Sequence, residues 1–164
     1  MFLTVVAFPT LRIVPYRQEY LLSTVELIHS LWHLTYSDVL PEELLDQRTT
    51  EYFEGYITSF AKTCWLAFKG QDIAGVLIIT SNCIDALWVS EKYQRQKVGT
   101  ALIDKAFKEI ALKGHDSVQV GCESFNVAAV TFFQSLGWRQ IASEPLKITP
   151  GHEIHALVLG KKFI

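Results

Sequence analysis

Several features that would assign this chain to a common class are absent from its sequence. Its three cysteines, Cys64, Cys83 and Cys122, are odd in number, lie far apart and form no Cys-x-x-Cys pair. This usage indicates a reducing, cytoplasmic setting. No apolar run is long enough to cross a bilayer. The chain also lacks an excess of either charge, since its formal net charge is −2, so we expect neither nucleic acid nor a membrane as a partner.

The remaining composition is that of a folded domain. Hydrophobic residues make up 49% of the chain and charged residues 20%, which excludes disorder. The sequence of 164 residues contains no linker, repeat or low-complexity stretch, so we assign residues 1–164 to a single domain. Residues 1–9 lack the basic start and the cleavage site of a signal peptide, and we expect them to form an arm or an extra strand.

One segment carries most of the chemical information. The short apolar stretch 84–89 is typical of a buried strand, and from Val98 onward the apolar residues recur with helical spacing. The turn 94–99 therefore leads from a strand into a helix N-terminus, where backbone N–H groups have no partner within the helix. Together with the helix dipole and the two cations of the turn, these donors favour a bound pyrophosphate.

This turn does not fit the two commonest phosphate motifs. A Rossmann fingerprint needs three spaced glycines, a Walker loop needs Gly-Lys-Ser/Thr after a glycine-rich run, and neither is present. The turn instead resembles the Gln/Arg-x-x-Gly-x-Gly/Ala motif of the GNAT superfamily of N-acetyltransferases, with Gln94 first and Gly99 last. Lys97 stands where the motif has its middle glycine. It can still offer its backbone N–H there if its φ/ψ values are ordinary, and its ammonium can neutralise phosphate.

A second segment strengthens the resemblance. Residues 126–138 read Asn-Val-Ala-Ala-Val-Thr-Phe-Phe-Gln-Ser-Leu-Gly-Trp, which is similar to the superfamily signature Asn-x-x-Ala-x-x-Phe-Tyr-x-x-x-Gly-Phe. Asn126 is a good helix N-cap, and Gly137 suits a left-handed helix end. The two motifs occur in the family's order, and the resemblance extends over residues 11–159.

The resemblance implies acetyl-CoA as co-substrate and no metal. In the family the pyrophosphate lies on the loop, and the pantetheine runs along the preceding strand, where that strand and the next one in the sheet diverge. The implied cofactor site therefore combines residues of the strand, of the loop, of the start of the helix after it and of the later helix that begins at Asn126. They are Leu87, Val89, Gln94, Arg95, Gln96, Lys97, Val98, Gly99, Thr100, Asn126, Ala129, Phe132 and Phe133.

The pattern along the whole chain predicts an α/β fold, with a mixed sheet and helices on both faces, as in the GNAT superfamily. The predicted order is β-α-α-β-β-β-α-β-α-β-β. Strands are predicted at residues 11–14, 64–68, 73–81, 84–89, 117–122, near 139–143 and near 154–160. Helices are predicted at about 18–33, from Pro41 to about residue 60 with an interruption near 47–50, at 98–113, and after Asn126.

Acetyl transfer to an amine needs a base that removes a proton from the incoming ammonium group. Asp85 is the first candidate, because it is predicted to share a buried face with Leu87 and Val89, where an unpaired charge is costly. A structural hydrogen bond to a neighbouring loop is the alternative role of this carboxylate. Glu123, just after the next strand, is the second candidate base, and an exposed loop acid is its alternative.

The sequence departs from the family where many members have a tyrosine that protonates the leaving thiolate. Phe133 occupies that position and has no hydroxyl, so the thiolate has to leave with help from water or from another donor. Ser124, Cys122 and Tyr36 are the candidate donors. For the acceptor, the candidate binding residues are Tyr36, Asp38 and His155, which fall in segments that flank the acceptor cleft in the family.

Two functions remain open at this point. The first is an N-acetyltransferase that acts by direct attack in a ternary complex on a primary amine, either of a small molecule or of a protein or peptide (N-terminus or lysine). The second is a non-catalytic acetyl-CoA-binding sensor or interaction module, suggested by Phe133 and Lys97. His29 and His33 are four residues apart but lack the glutamate of a zinc-binding helix, so we expect no metal. We expect a monomer or a homodimer.

Overall fold

The structure, a computed structural model, describes residues 9–149 and 151–163. The predicted arm at residues 1–9 lies outside this part of the chain except for Pro9. The strands are β1 (Leu11–Pro15), β2 (Cys64–Lys69), β3 (Asp72–Thr80), β4 (Cys83–Val89), β5 (Ser117–Glu123), β6 (Arg139–Thr149) and β7 (His152–Lys162). The α-helices are α1 (Leu21–Tyr36), α2 (Glu42–Leu45), α3 (Thr50–Ser59), α4 (Val98–Leu112) and α5 (Val127–Ser135).

These elements agree closely with the predicted ones. The interruption of the second predicted helix is confirmed, since α2 and α3 are separate, and Pro41 is the N-cap of α2. The side chain of Thr49 caps α3 by accepting a hydrogen bond from the Tyr52 N–H at 3.2 Å. None of the helices in the described part of the chain has the length and apolar content needed to span a membrane.

The strands form one seven-stranded sheet in the order β1-β2-β3-β4-β5-β7-β6. Every neighbouring pair is antiparallel except β4 and β5, which run parallel. That parallel pairing stops after Ile84 and Val120, although β4 continues to Val89 and β5 to Glu123. The two strands therefore diverge and leave a gap in the middle of the sheet, as the family resemblance implied.

Helices cover both faces of the sheet, which confirms the predicted α/β class. Helices α4 and α5 pack on one face (the α4 face), and α1 and α3 pack on the other (the α1 face). Along β3, Leu77 and Ile79 belong to the α4 face, whereas Val76 and Ile78 belong to the α1 face. This alternation is that of a strand buried on both sides.

The first turn of α4 lies close against β3 because β3 has a glycine at that point. A Cβ on Gly75 would lie 2.8 Å from Leu102 Cδ1, 3.0 Å from the carbonyl oxygen of Trp88 and 3.2 Å from Val98 Cγ1. A side chain there would overpack the contact. Gly75 therefore allows the N-terminus of α4 to rest on the sheet beside the gap.

Candidate active site

The turn that leads from β4 into α4 leaves backbone donors free. The first N–H bonded into α4 is that of Ala101, which donates to the carbonyl of Lys97 at 3.0 Å. The N–H groups of Val98, Gly99 and Thr100 have no acceptor among the described residues, and no side chain caps the helix. An uncapped helix N-terminus combines free donors with the positive end of the helix dipole, which suits a phosphate group.

Two residues of this turn have a left-handed backbone. The φ angle is 59° at Arg95 and 64° at Lys97. The condition of ordinary φ/ψ values at Lys97 is therefore not met. The middle position of the motif keeps the conformation that glycine adopts most easily, and lysine adopts it at a cost of roughly 1–2 kcal/mol. Such conformations turn neighbouring N–H groups into an anion-binding concavity.

The segment before the turn is tied to the start of β3. Asp72 accepts hydrogen bonds from Lys92 Nζ at 2.7 Å and from the Tyr93 hydroxyl at 2.5 Å. These two hydrogen bonds hold the pKa of the Asp72 carboxyl below its usual value, and the bond from Lys92 has the larger effect. Because the Tyr93 side chain is also buried in the α4-face core, this contact fixes where the turn begins.

Within the turn, the two glutamines use their side chains internally. Gln94 Nε2 donates to the carbonyl of Val89 at 3.2 Å, and Gln96 Nε2 donates to the carbonyl of Lys92 at 3.0 Å. The predicted contribution of these glutamines to a cofactor site therefore rests on their backbone rather than on their amides. Arg95 is exposed, like Lys97, and presents a cation at the turn.

Helix α5 begins and ends as predicted. Asn126 Oδ1 accepts a hydrogen bond from the Ala129 N–H at 3.2 Å, which caps the helix. Gly137 follows the last turn with a φ of +84°, the left-handed conformation expected there.

Gly99 lies where the turn, β4 and α5 meet. A Cβ on this glycine would lie 3.0 Å from Phe132 Cζ and 3.6 Å from Val89 Cγ2. The next residue of α5, Phe133, lies in the core instead. It is 4% exposed, and its ring centroid is 4.9 Å from that of Trp138. Of the predicted cofactor residues, Val98 and Phe133 thus have core side chains, and Gly99 allows the three elements to meet closely.

A β-bulge places Asp85 on the α1 face. Relative to β3, the strand β4 has one extra residue between Ile84 and Ala86, and that residue is Asp85. The prediction that Asp85 shares a buried face with Leu87 and Val89 is therefore wrong. Those two side chains pack against the α4-face core, whereas Asp85 is exposed and lines a cleft on the other side of the sheet.

This cleft, with a volume of about 200 Å³, lies between α1, α3 and the two diverging strands. Asp85 comes from β4 and Glu123 from β5, so the cleft spans the gap in the sheet. The Tyr56 hydroxyl donates to Asp85 Oδ2 at 2.7 Å, and the Tyr36 hydroxyl donates to Glu123 Oε1 at 2.5 Å. The lining residues are Ile28, Trp32, Tyr36, Tyr52, Phe53, Tyr56, Asp85, Ala86, Trp88 and Glu123.

Both tyrosines of these pairs are held in their neutral form. Burial, followed by the charge of Glu123 and the hydrogen bond to it, raises the pKa of Tyr36 well above its ordinary value. Burial and the hydrogen bond to Asp85 do the same to the pKa of Tyr56. Each hydroxyl therefore remains a donor that orients one carboxylate, with further oxygen lone pairs of that carboxylate available to a ligand.

The structure separates the predicted acceptor residues. Tyr36 lines the cleft, but Asp38 and His155 are exposed and do not belong to its lining. The backbone carbonyl of His155 accepts the N–H of Ser124 at 2.8 Å, so this residue contacts the end of β5 through its main chain. Glu123, whose alternative was an exposed loop acid, is instead the half-buried last residue of β5.

Sequence reasoning missed several aromatic residues of the cleft, above all Tyr56. In the sequence, Tyr56 falls with Phe53 and Ile57 on the apolar stripe of a helix, a pattern typical of core residues. The available signal was its hydroxyl, because a tyrosine in a buried stripe usually has a hydrogen-bond partner. Nothing in the sequence indicates which partner that is.

The fold and the turn before α4 are those expected of an acetyl-CoA-dependent acyltransferase, and comparison with known proteins supports this class. The family model described as an acetyltransferase (GNAT) domain matches residues 33–148, well over half of the chain. The chain therefore belongs to the GNAT acetyltransferase family. A search of curated proteins found no significant match.

Solved structures show the same fold. The PaiA N-acetyltransferase of Thermoplasma acidophilum, in complex with coenzyme A, has a TM-score of 0.72 at 20% identity, over 94% of this chain and 99% of that one. A GCN5-related N-acetyltransferase of Rhodopseudomonas palustris reaches 0.75 at 21% identity, over 99% and 100%. The ribosomal-protein-S18-alanine N-acetyltransferase of Escherichia coli reaches 0.65 at 15% identity, over 93% and 94%. At these identities the likeness establishes the fold.

Proposed function

We propose that this protein transfers the acetyl group of acetyl-CoA to a primary amine by direct attack in a ternary complex. One observation carries the proposal. The gap between β4 and β5 has an uncapped helix N-terminus with free N–H groups at one end and a carboxylate-lined cleft on the α1 face. A thioester held in the gap would thus meet an amine that enters from the cleft.

The free donors of the turn suit the pyrophosphate of acetyl-CoA. From Val89 back to Asp85 the strand β4 covers about 13 Å at a rise of about 3.3 Å per residue. Along this stretch β4 has no β5 partner, so its backbone groups on that side can pair with the pantetheine amides. This path leads from the turn to the closed end of the gap, beside Asp85.

We assign the role of general base to Asp85. Its carboxylate accepts the proton that the ammonium group must lose, directly or through water, and the amine nitrogen then attacks the thioester carbonyl carbon. The carbon–sulfur bond breaks, and CoA leaves as a thiolate. The second proton that the nitrogen loses as it becomes an amide reaches this thiolate through water or another donor. Tyr56 positions the base through its 2.7 Å hydrogen bond. Glu123 is the alternative base, on the opposite wall of the gap.

We further propose that the acceptor is a small molecule or a protein or peptide, that the protein acts in the cytoplasm, and that it is a monomer or a homodimer. Within the described residues, no three His, Cys, Asp or Glu side chains are grouped so as to hold a metal ion.

The proposal is tested by two measurements on the wild-type protein. Calorimetry measures the binding of acetyl-CoA, and a thiol reagent follows the release of CoA with a panel of primary amines. We expect saturable binding and amine-dependent release. If acetyl-CoA binds but no amine of the panel causes release of CoA, the protein is instead an acetyl-CoA-binding module. The absence of a hydroxyl at Phe133 would then fit the missing release.

A further inference from the structure

We infer that the acceptor is a small aliphatic diamine, which is acetylated on one nitrogen and held by the positive charge of the other. This inference rests on the proposed function and names its substrate class. The observation behind it is that the cleft contains two separately supported carboxylates, Asp85 and Glu123, one on each side of the gap.

The other lining residues also suit a cation. Six of the ten are aromatic, namely Trp32, Tyr36, Tyr52, Phe53, Tyr56 and Trp88, and none of the ten is basic. Aromatic faces attract ammonium groups, and they also cover the methylene groups of an alkyl chain. Two of these rings, Trp32 and Tyr36, stack at 4.6 Å and so form a continuous wall that leads to Glu123.

One basic side chain contacts two aromatic residues of the cleft. The Arg48 guanidinium lies 4.3 Å from the ring centroid of Tyr52 and 5.8 Å from that of Trp32, and it is not part of the lining. Neither cleft carboxylate has a salt-bridge partner among the described residues. A cationic ligand can therefore neutralise both without displacing an existing ion pair.

The two carboxylates have different tasks in the transfer. The reacting nitrogen must become neutral before it attacks, so its interaction with Asp85 ends as a proton transfer. Glu123 takes no part in this proton transfer and can therefore hold the other nitrogen, which remains an ammonium group. A monoamine would leave Glu123 without a counterion in the half-buried cleft.

The register of the strands sets the distance between the Cα atoms of Asp85 and Glu123. Ile84 pairs with Val120, so Asp85 is one residue past that pair and Glu123 is three residues past it. Two residues along the strands and one strand spacing across place their Cα atoms about 8 Å apart or more, since the strands diverge. A ligand that contacts both carboxylates must therefore span the gap, and cadaverine, a flexible aliphatic diamine, serves as the probe.

The test compares probes of matched length with the wild-type protein. Cadaverine carries two amino groups, pentylamine lacks the second one, and δ-aminovalerate replaces it with a carboxylate. We expect kcat/KM to be at least about tenfold higher for cadaverine than for pentylamine, because a charge-assisted hydrogen bond is at stake, and lowest for δ-aminovalerate. Mass spectrometry should show monoacetylcadaverine accumulating, since the product has lost one of its two charges.

Two variants then test whether Glu123 binds the second ammonium group of cadaverine. Glu123→Gln should bring the ratio of kcat/KM for cadaverine and pentylamine close to one. Glu26→Gln, which removes an exposed carboxylate of α1 outside the cleft, should leave that ratio as in the wild type. The comparison of probes needs no variant, so it decides the matter even if Glu123→Gln does not fold.

The outcomes separate this inference from the proposed function. Equal kcat/KM values for cadaverine and pentylamine, with CoA released from both, would overturn the diamine inference and leave the acetyltransferase proposal standing. Bound acetyl-CoA with no release for any amine would overturn both. A preference for cadaverine that Glu123→Gln does not reduce would contradict the role assigned to Glu123.

Discussion

The hydroxyl of Tyr56, on α3, lies 2.7 Å from Asp85 Oδ2 and donates a hydrogen bond to it. Asp85 can reach this tyrosine because it is the bulged residue of β4. The bulge thus turns an acid of the central strand away from the core and into a cleft beside the gap. The contact connects a local irregularity of the sheet with the chemistry that we propose for the site.

Asp85→Asn should reduce the acetylation rate by about 10²–10⁴, because it keeps the size of the side chain but removes the base. The affinity for acetyl-CoA, measured by calorimetry, should not change, since the carboxylate faces the acceptor cleft. Tyr56→Phe should reduce the rate by about tenfold, as expected for the loss of one hydrogen bond to a charged group. A wild-type rate in Asp85→Asn would move the base to Glu123 or to ordered water.

Lys97→Gly should stabilise the fold by about 1 kcal/mol, because glycine adopts the left-handed conformation at this position without the penalty of a Cβ. It should also weaken the salt dependence of CoA binding, if the ammonium neutralises phosphate. Lys97→Ala is the matched control, since it removes the charge but retains the Cβ. Urea unfolding and calorimetry at two salt concentrations measure both effects. Equal stability of the glycine and alanine variants would contradict the strain argument.

Gly99→Val should lower the affinity for CoA at least about tenfold, because several charge-assisted hydrogen bonds depend on the backbone of this turn. The new side chain would meet Phe132, whose Cζ lies 3.0 Å from the position of a Cβ. Combining Gly99→Val with Phe132→Leu should restore part of the affinity by making room. Unchanged affinity in a folded Gly99→Val protein would show that the turn does not hold the pyrophosphate.

The stability of the protein should fall as the pH rises above about 10, the ordinary pKa of tyrosine. Tyr36 and Tyr56 have pKa values raised by burial and by their carboxylate partners, so the folded state retains protons that the unfolded state loses. Their contribution is therefore complete below pH 10 and is lost at higher pH. Urea unfolding across this range should show a smaller loss of stability for Tyr36→Phe than for the wild type. Tyr52→Phe, which changes a tyrosine that is 43% exposed, should lose as much stability as the wild type.

Cys83 should react with iodoacetamide before the other two cysteines in the native protein. Burial raises the pKa of the Cys64 and Cys122 thiols to about 12, and their side chains are 2% and 4% exposed. Cys83 is only partly buried, so its thiol is accessible to the reagent. Peptide mass spectrometry after limited labelling measures the order. Labelling of Cys122 as fast as that of Cys83 would show that the end of β5 opens readily.

Most of the fold and the position of the proposed cofactor turn could be predicted from the sequence by itself. Both depend on local patterns: apolar periodicity defines the strands and helices, Asn126 and Gly137 mark the ends of α5, and the strand–turn–helix order places free N–H groups at residues 98–100. These features need only neighbouring residues, so they are readable before the chain is folded.

Only the tertiary structure decided how the acceptor side is built. The period-two alternation of a strand predicts that Asp85 lies in the core with Leu87 and Val89. The bulge in the pairing of β4 with β3 instead turns its side chain to the α1 face. Tyr36 and Glu123 are 87 residues apart in the chain, and Tyr56 and Asp85 are 29 apart. Such contacts follow from the packing of α1 and α3 on the sheet. The order of residues along the chain carries no direct record of which distant side chains that packing brings together.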